Sequence, residues 1–135
     1  MAAGWILKTE PSTYSYDQLE REQTAVWDGV KNPWALRNMA AMKVGDPVLI
    51  YHTGDEKACV GRAEVTRAAY PDPRLKDPDM LVVELKAVGR LAKPVTLAAI
   101  KADRFFEELA LVRQGRLSVV PASKDHFERL LAMSR

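Results

Sequence analysis

The chain has 135 residues, 47% of them hydrophobic and 28% charged, with a formal net charge of +2, a size that makes one domain with a core needing no staples. Its single cysteine, Cys59, and its two histidines exclude an internal disulfide and a Cys/His zinc framework. A charge this close to balance excludes tight nucleic-acid binding by phosphate attraction alone, so such a ligand needs a local pocket for selectivity.

In chain order, Gly4 to Thr9 opens with Trp5-Ile6-Leu7, a short apolar run suited to a buried strand. Ser15-Tyr16-Asp17-Gln18 matches a capping box, serine accepting from a first-turn amide while glutamine reaches back, and starts a helix through about Glu22. Asn32-Pro33 is a second start signal, an N-cap residue with proline at the first helical position, for a helix from Pro33 to about Met42. Pro47 to Thr53 is apolar at Val48, Leu49, Ile50 and Tyr51, which predicts a strand buried on both faces. Cys59 to Ala68 alternates, Gly61, Ala63 and Val65 against Arg62, Glu64 and Thr66. Tyr70 to Asp79 holds three prolines and three aspartates and reads as a surface excursion. Met80 to Val88 alternates again, Leu81, Val83 and Leu85 inward. Thr96 and Asp103 cap short helices, Leu117 to Val120 is a last strand, and Ser123 caps a helix whose Phe127, Leu130 and Leu131 form a core face.

These elements predict one domain over residues 1–135. Short strands mixed with short helices do not make a regular βαβ series; an α+β fold, a small mixed and partly closed barrel flanked by helices, fits better. The opening Met1-Ala2-Ala3-Gly4-Trp5 has no basic segment followed by a long apolar one, and no apolar run is long enough to cross a bilayer. A cytoplasmic chain with no membrane contact is the expectation.

Three stretches, Lys8-Thr9-Glu10-Pro11, Trp27 to Asn32 and Tyr51-His52-Thr53, read together as one pocket: an aromatic plate, hydrogen-bonding groups and a few charges. That inventory suits a flat polar ligand such as a nucleobase. Trp27, beside the turn dipeptide Asp28-Gly29, is either a stacking plate or a plug at one end of the barrel, and the residues leave both open. Asn32 either caps its helix or pairs with a base edge. His52 reads as a hydrogen-bonded structural histidine before a catalytic base, and Cys59 as a buried inert thiol. His126 is expected at the surface, Trp5 and Trp34 in the core. Arg113 and Arg116, around Gln114-Gly115, either grip phosphate or are solvated turn charges. There is no Gly-x-Ser-x-Gly elbow and no phosphate-cradling glycine loop, so an enzyme is the weaker class.

The series Lys8-Thr9-Glu10-Pro11, Trp27-Asp28-Gly29-Val30-Lys31-Asn32, Arg37-Asn38, Met42-Lys43-Val44-Gly45-Asp46, Tyr51-His52-Thr53, Gly61, Glu64-Val65, Ala69-Tyr70-Pro71-Asp72 and Arg113 to Val119 resembles EVE-domain proteins, of the PUA-like superfamily and kin to YTH domains. The resemblance implies a PUA-like mixed β pseudo-barrel flanked by short helices. It also implies a non-enzymatic reader of a modified base, chiefly modified cytosine in DNA, or a modified base in RNA, with no cofactor. Carried onto this sequence, Trp27 becomes a pocket aromatic, and Lys8, Thr9, Asp28, Val30 and Asn32 base contacts. His52, Leu117 and Ser118 would complete the wall, and Arg113 and Arg116 would hold flanking phosphates in a monomer. Departures from the family pattern are Thr9 for serine, Lys31 for arginine, Gly115 for serine, and Trp34, which either crowds or extends the pocket. The rival readings are a small-molecule or peptide-binding module, and an enzyme on a modified nucleotide with His52 as base.

Overall fold

The computed structural model describes residues 2–135. Strand β1 (Gly4–Thr9) leads through helix α1 (Tyr16–Glu22) to β2 (Thr24–Trp27) and helix α2 (Pro33–Ala40). Strands β3 (Pro47–His52), β4 (Ala58–Pro71) and β5 (Leu81–Thr96) follow as a meander. Short helices α3 (Leu97–Ala102) and α4 (Ala110–Arg113), with a 3-10 turn at Arg104–Phe106 between them, precede β6 (Val119–Ala122) and helix α5 (Lys124–Met133). Met1 and the reading that rested on it lie outside the described residues.

The strands form one mixed sheet in the order β2-β5-β4-β3-β1-β6. β1 and β3 pair in parallel, Trp5 opposite Val48 through Thr9 opposite His52, and the other neighbours are antiparallel. This α+β sheet curls without closing: it is a pseudo-barrel with β2 and β6 as free edges. Several register shifts along β4–β5 bend the long hairpin, as extra residues in a ladder do. Ile6, Leu7, Leu49 and Ile50 are fully buried at its centre, which accounts for their unbroken apolar runs.

Tyr16 locks the hairpin from the side. Its ring lies so close to Gly61 that a Cβ there would come within 2.3 Å of it. The phenol donates to the Arg62 carbonyl at 2.8 Å and accepts from the Gly89 amide at 3.0 Å, so one buried side chain holds both long strands.

The expected caps form at Ser15, Asn32, Thr96, Asp103 and Ser123, each side-chain oxygen accepting a first-turn amide. Elsewhere the structure departs from the sequence. Gln18 does not reach back to complete the capping box; its amide bonds Glu22. The strand expected to end at Val88 runs on to Thr96, because β4 supplies partners along its whole length. Strand β2 had no sequence signal; as an edge strand it pairs only with β5. Helix α4 also goes unannounced. Trp34 is no core residue but 42% exposed, since α2 buries Ala35, Leu36 and Met39 instead. His126 is half-buried, its Nε2 2.9 Å from the Phe105 carbonyl. Among the described residues, no helix is long and apolar enough to cross a membrane.

Candidate functional site

The open seam of the curled sheet makes the site. One cleft of about 510 Å³ is lined by the end of β1, by the end of edge strand β2 with the turn after it, and by Ser118 just before edge strand β6. Residues flanking both free edges therefore face one hollow.

Trp27 ends β2 opposite Val83 and is buried, yet it lines the cleft. Its ring meets Tyr14 edge to face, centroids 5.9 Å apart at 88°, which makes an aromatic corner. The Tyr14 phenol donates to Glu22 at 2.7 Å; burial and that carboxylate hold its pKa above the ordinary tyrosine range. The Thr9 hydroxyl donates to the Tyr14 carbonyl at 2.7 Å, which leaves it acceptor capacity toward the cleft. Lys8 donates its backbone amide to Ser118 at 3.0 Å and its ammonium to the Gly115 carbonyl at 2.9 Å. Burial lowers the Lys8 pKa. At the lip, Gly29 takes φ +77, a left-handed conformation that side chains rarely adopt. Asp28 beside it is paired with Arg74.

Lys8, Thr9, Trp27, Asp28, Val30 and Ser118 thus line a single cleft. Asn32 does not line it: its side chain accepts from the Ala35 amide at 3.1 Å and is committed to capping α2. His52 is buried elsewhere, Nε2 accepting from the Tyr16 amide at 3.0 Å and Nδ1 bonded to Glu56 at 2.7 Å, so both ring nitrogens are engaged. Leu117 packs in the core. Arg113 pairs with Glu108 at 2.7 Å, and Arg116 is exposed outside the cleft lining. Cys59 is fully buried, its thiol pushed up to about 12 by burial.

Sequence reasoning missed Thr13, Tyr14 and Val26 in the lining, and the Arg74 that holds Asp28. Tyr14 carried one local signal, its place directly before the Ser15 cap. Arg74 carried none, because its partner lies 46 positions away. No group of three or more metal-binding side chains occurs among the described residues.

A family model described as EVE domain matches residues 3–133. Human thymocyte nuclear protein 1 is 25% identical over 98% of this chain and 74% of its own length. A solved structure from Rhodopseudomonas palustris superposes with a TM-score of 0.92 at 39% identity, covering 98% of this chain and 92% of that one. The crystal structure of the human THYN1 protein in complex with 5-methylcytosine containing DNA superposes with a TM-score of 0.88 at 25% identity, covering 98% and 97%.

Proposed function

The chain belongs to the EVE domain family, and on that premise we propose that it is a non-enzymatic domain that takes a modified nucleobase into the cleft at Trp27, with 5-methylcytosine in DNA as ligand. The observation that carries this reading is the cleft itself. An aromatic corner, Trp27 with Tyr14, faces hydrogen-bonding groups at Thr9, Asp28 and Ser118 in a volume within the usual range of small-ligand sites. The human relative solved with 5-methylcytosine containing DNA supports the choice of ligand.

In this reading Trp27 supplies the stacking surface, a contribution of roughly 1–3 kcal/mol per base in other proteins. Val26 and Val30 offer the base's methyl group an apolar wall. One methyl group in an apolar pocket is worth about 1–3 kcal/mol, so methylated cytosine should be preferred over cytosine by roughly 10- to 200-fold. Pulling the base from a duplex costs a few kcal/mol, so single-stranded oligonucleotides should bind more tightly than duplexes. The engagement of both His52 nitrogens argues against the enzyme reading, since a general base needs a free one.

The test is a titration with matched oligonucleotides, unmodified or carrying 5-methylcytosine, 5-hydroxymethylcytosine or N6-methyladenine. The expected result is a preference for methylcytosine that Trp27→Ala removes while circular dichroism stays native. Equal affinity for every oligonucleotide would move the ligand to a small molecule or peptide.

A further inference from the structure

A second cavity, of about 180 Å³, shares Lys8 with the cleft and is walled also by Lys57, Lys101, Thr53 and Gly115. Three lysines line this hollow and no acidic residue does. None of the three forms an ion pair among the described residues. Lys57 adopts φ +46, a region that residues other than glycine seldom occupy, and its carbonyl accepts from the Leu97 amide at 2.8 Å. Lys8 spends one N–H on the Gly115 carbonyl and keeps two, since an ammonium has three. The space equals about six waters at ~30 Å³ each, enough for a tetrahedral oxyanion with part of its hydration.

Three lysines around a hollow whose own lining holds no acidic residue raise the local concentration of anions there. The Glu10 carboxylate beside that lining is engaged by the Thr53 hydroxyl at 3.2 Å. Lysine contacts phosphate as a point charge and needs no planar fork. We propose that this cavity is a phosphate site, and that it holds the backbone phosphate next to the base seated in the cleft. The proposal rests on the reading of the cleft as a base site. In a nucleotide, base and phosphate are joined through one sugar; here the two hollows are neighbours that share one lining residue, Lys8. The phosphate-holding role expected of Arg113 and Arg116 passes to Lys8, Lys57 and Lys101.

The experiment is the salt dependence of binding of a single-stranded oligonucleotide, with and without 5-methylcytosine, to wild type and to Lys57→Gln/Lys101→Gln. Lys93→Gln/Lys124→Gln removes two exposed charges elsewhere and is the control. The expected result is a fall of about 1.4 in the slope of log affinity against log salt, ~0.7 per lost contact. The control should keep its slope, and the modified-to-unmodified ratio should stay as in wild type. An unchanged slope, or an equal fall in the control, overturns the proposal. If wild type shows no preference for a modified base but the slope still falls, the phosphate site stands and the base reading fails. A titration with inorganic phosphate, followed by the amide resonances of Lys57 and Gly115, separates the two sources. Shifts abolished in the double variant, with an unchanged oligonucleotide slope, assign the site to free phosphate and overturn its link to the strand.

Discussion

Arg74, on the loop between β4 and β5, reaches across the fold to the carboxylate of Asp28 on the lip of the cleft. The same guanidinium holds Asp72 with two bonds, 3.1 Å from Nε and 2.9 Å from Nη2, and the Arg74 amide adds a third at 2.9 Å. Asp72 is itself 4% exposed and donates its amide to Met80 at 2.8 Å, which closes the loop. The proline-rich excursion is therefore a brace for the lip as well as a connection.

Arg74→Ala should free the lip and weaken binding of the methylcytosine oligonucleotide several-fold, mainly through faster dissociation. The melting temperature should fall as well, because the variant takes both side-chain donors from the buried Asp72 carboxylate. Loss of the exposed Asp28 pair adds little to that effect. Dissociation rates equal to wild type would remove the brace from the binding mechanism.

The same clasp carries a pH dependence. Arg74 holds the Asp72 carboxyl below the ordinary carboxylate range, chiefly through their side-chain hydrogen bonds. A carboxyl depressed on folding stabilises the fold above its unfolded value, near 3.8, and loses that contribution as pH falls through its folded value. Any stability difference between wild type and Arg74→Ala should thus be present at pH 5–7 and shrink below about pH 4. Urea titrations across that range decide it; a gap that widens in acid has the wrong sign.

Gly61→Ala should be among the more damaging single substitutions outside the cleft. The added methyl meets the Tyr16 ring, and relieving that clash means moving a side chain bonded to both Arg62 and Gly89. Overpacking of this kind costs about 1–3 kcal/mol. Tyr16→Phe, which strands one carbonyl and one amide, should cost about 1–3 kcal/mol. Thermal melts of both variants measure this, and a Gly61→Ala protein as stable as wild type would mean that Tyr16 can be displaced freely.

Cys59 should be inert in the native protein. With the thiol pushed up to about 12, only about one molecule in ten thousand carries a thiolate at pH 8, and the side chain is fully buried. Alkylation should be negligible in buffer and complete in denaturant. Rapid native labelling would show that the strand pair β3–β4 opens readily around it.

What the sequence determined by itself was local. A cap is decided by one side chain and an amide two or three residues on, which is why Ser15, Asn32, Thr96, Asp103 and Ser123 were all legible. The apolar centres of β1 and β3 were legible because burial on both faces writes an uninterrupted run. The motif series that resembles EVE domains was legible too, and it brought Lys8, Thr9, Trp27, Asp28, Val30 and Ser118 to one site before their distances were known. The tertiary structure alone decided what each remaining side chain could still do. Asn32 is committed to its cap and His52 to Tyr16 and Glu56, while Tyr14 turns its ring to Trp27. Trp34 stays exposed because α2 buries a different face, and β2 exists because β5 offers it an edge. Arg74 finds Asp28, and Lys8, Lys57 and Lys101 share a hollow, through the curl of an unclosed sheet. Such meetings depend on where two distant stretches of backbone come to rest, and no window of sequence contains both.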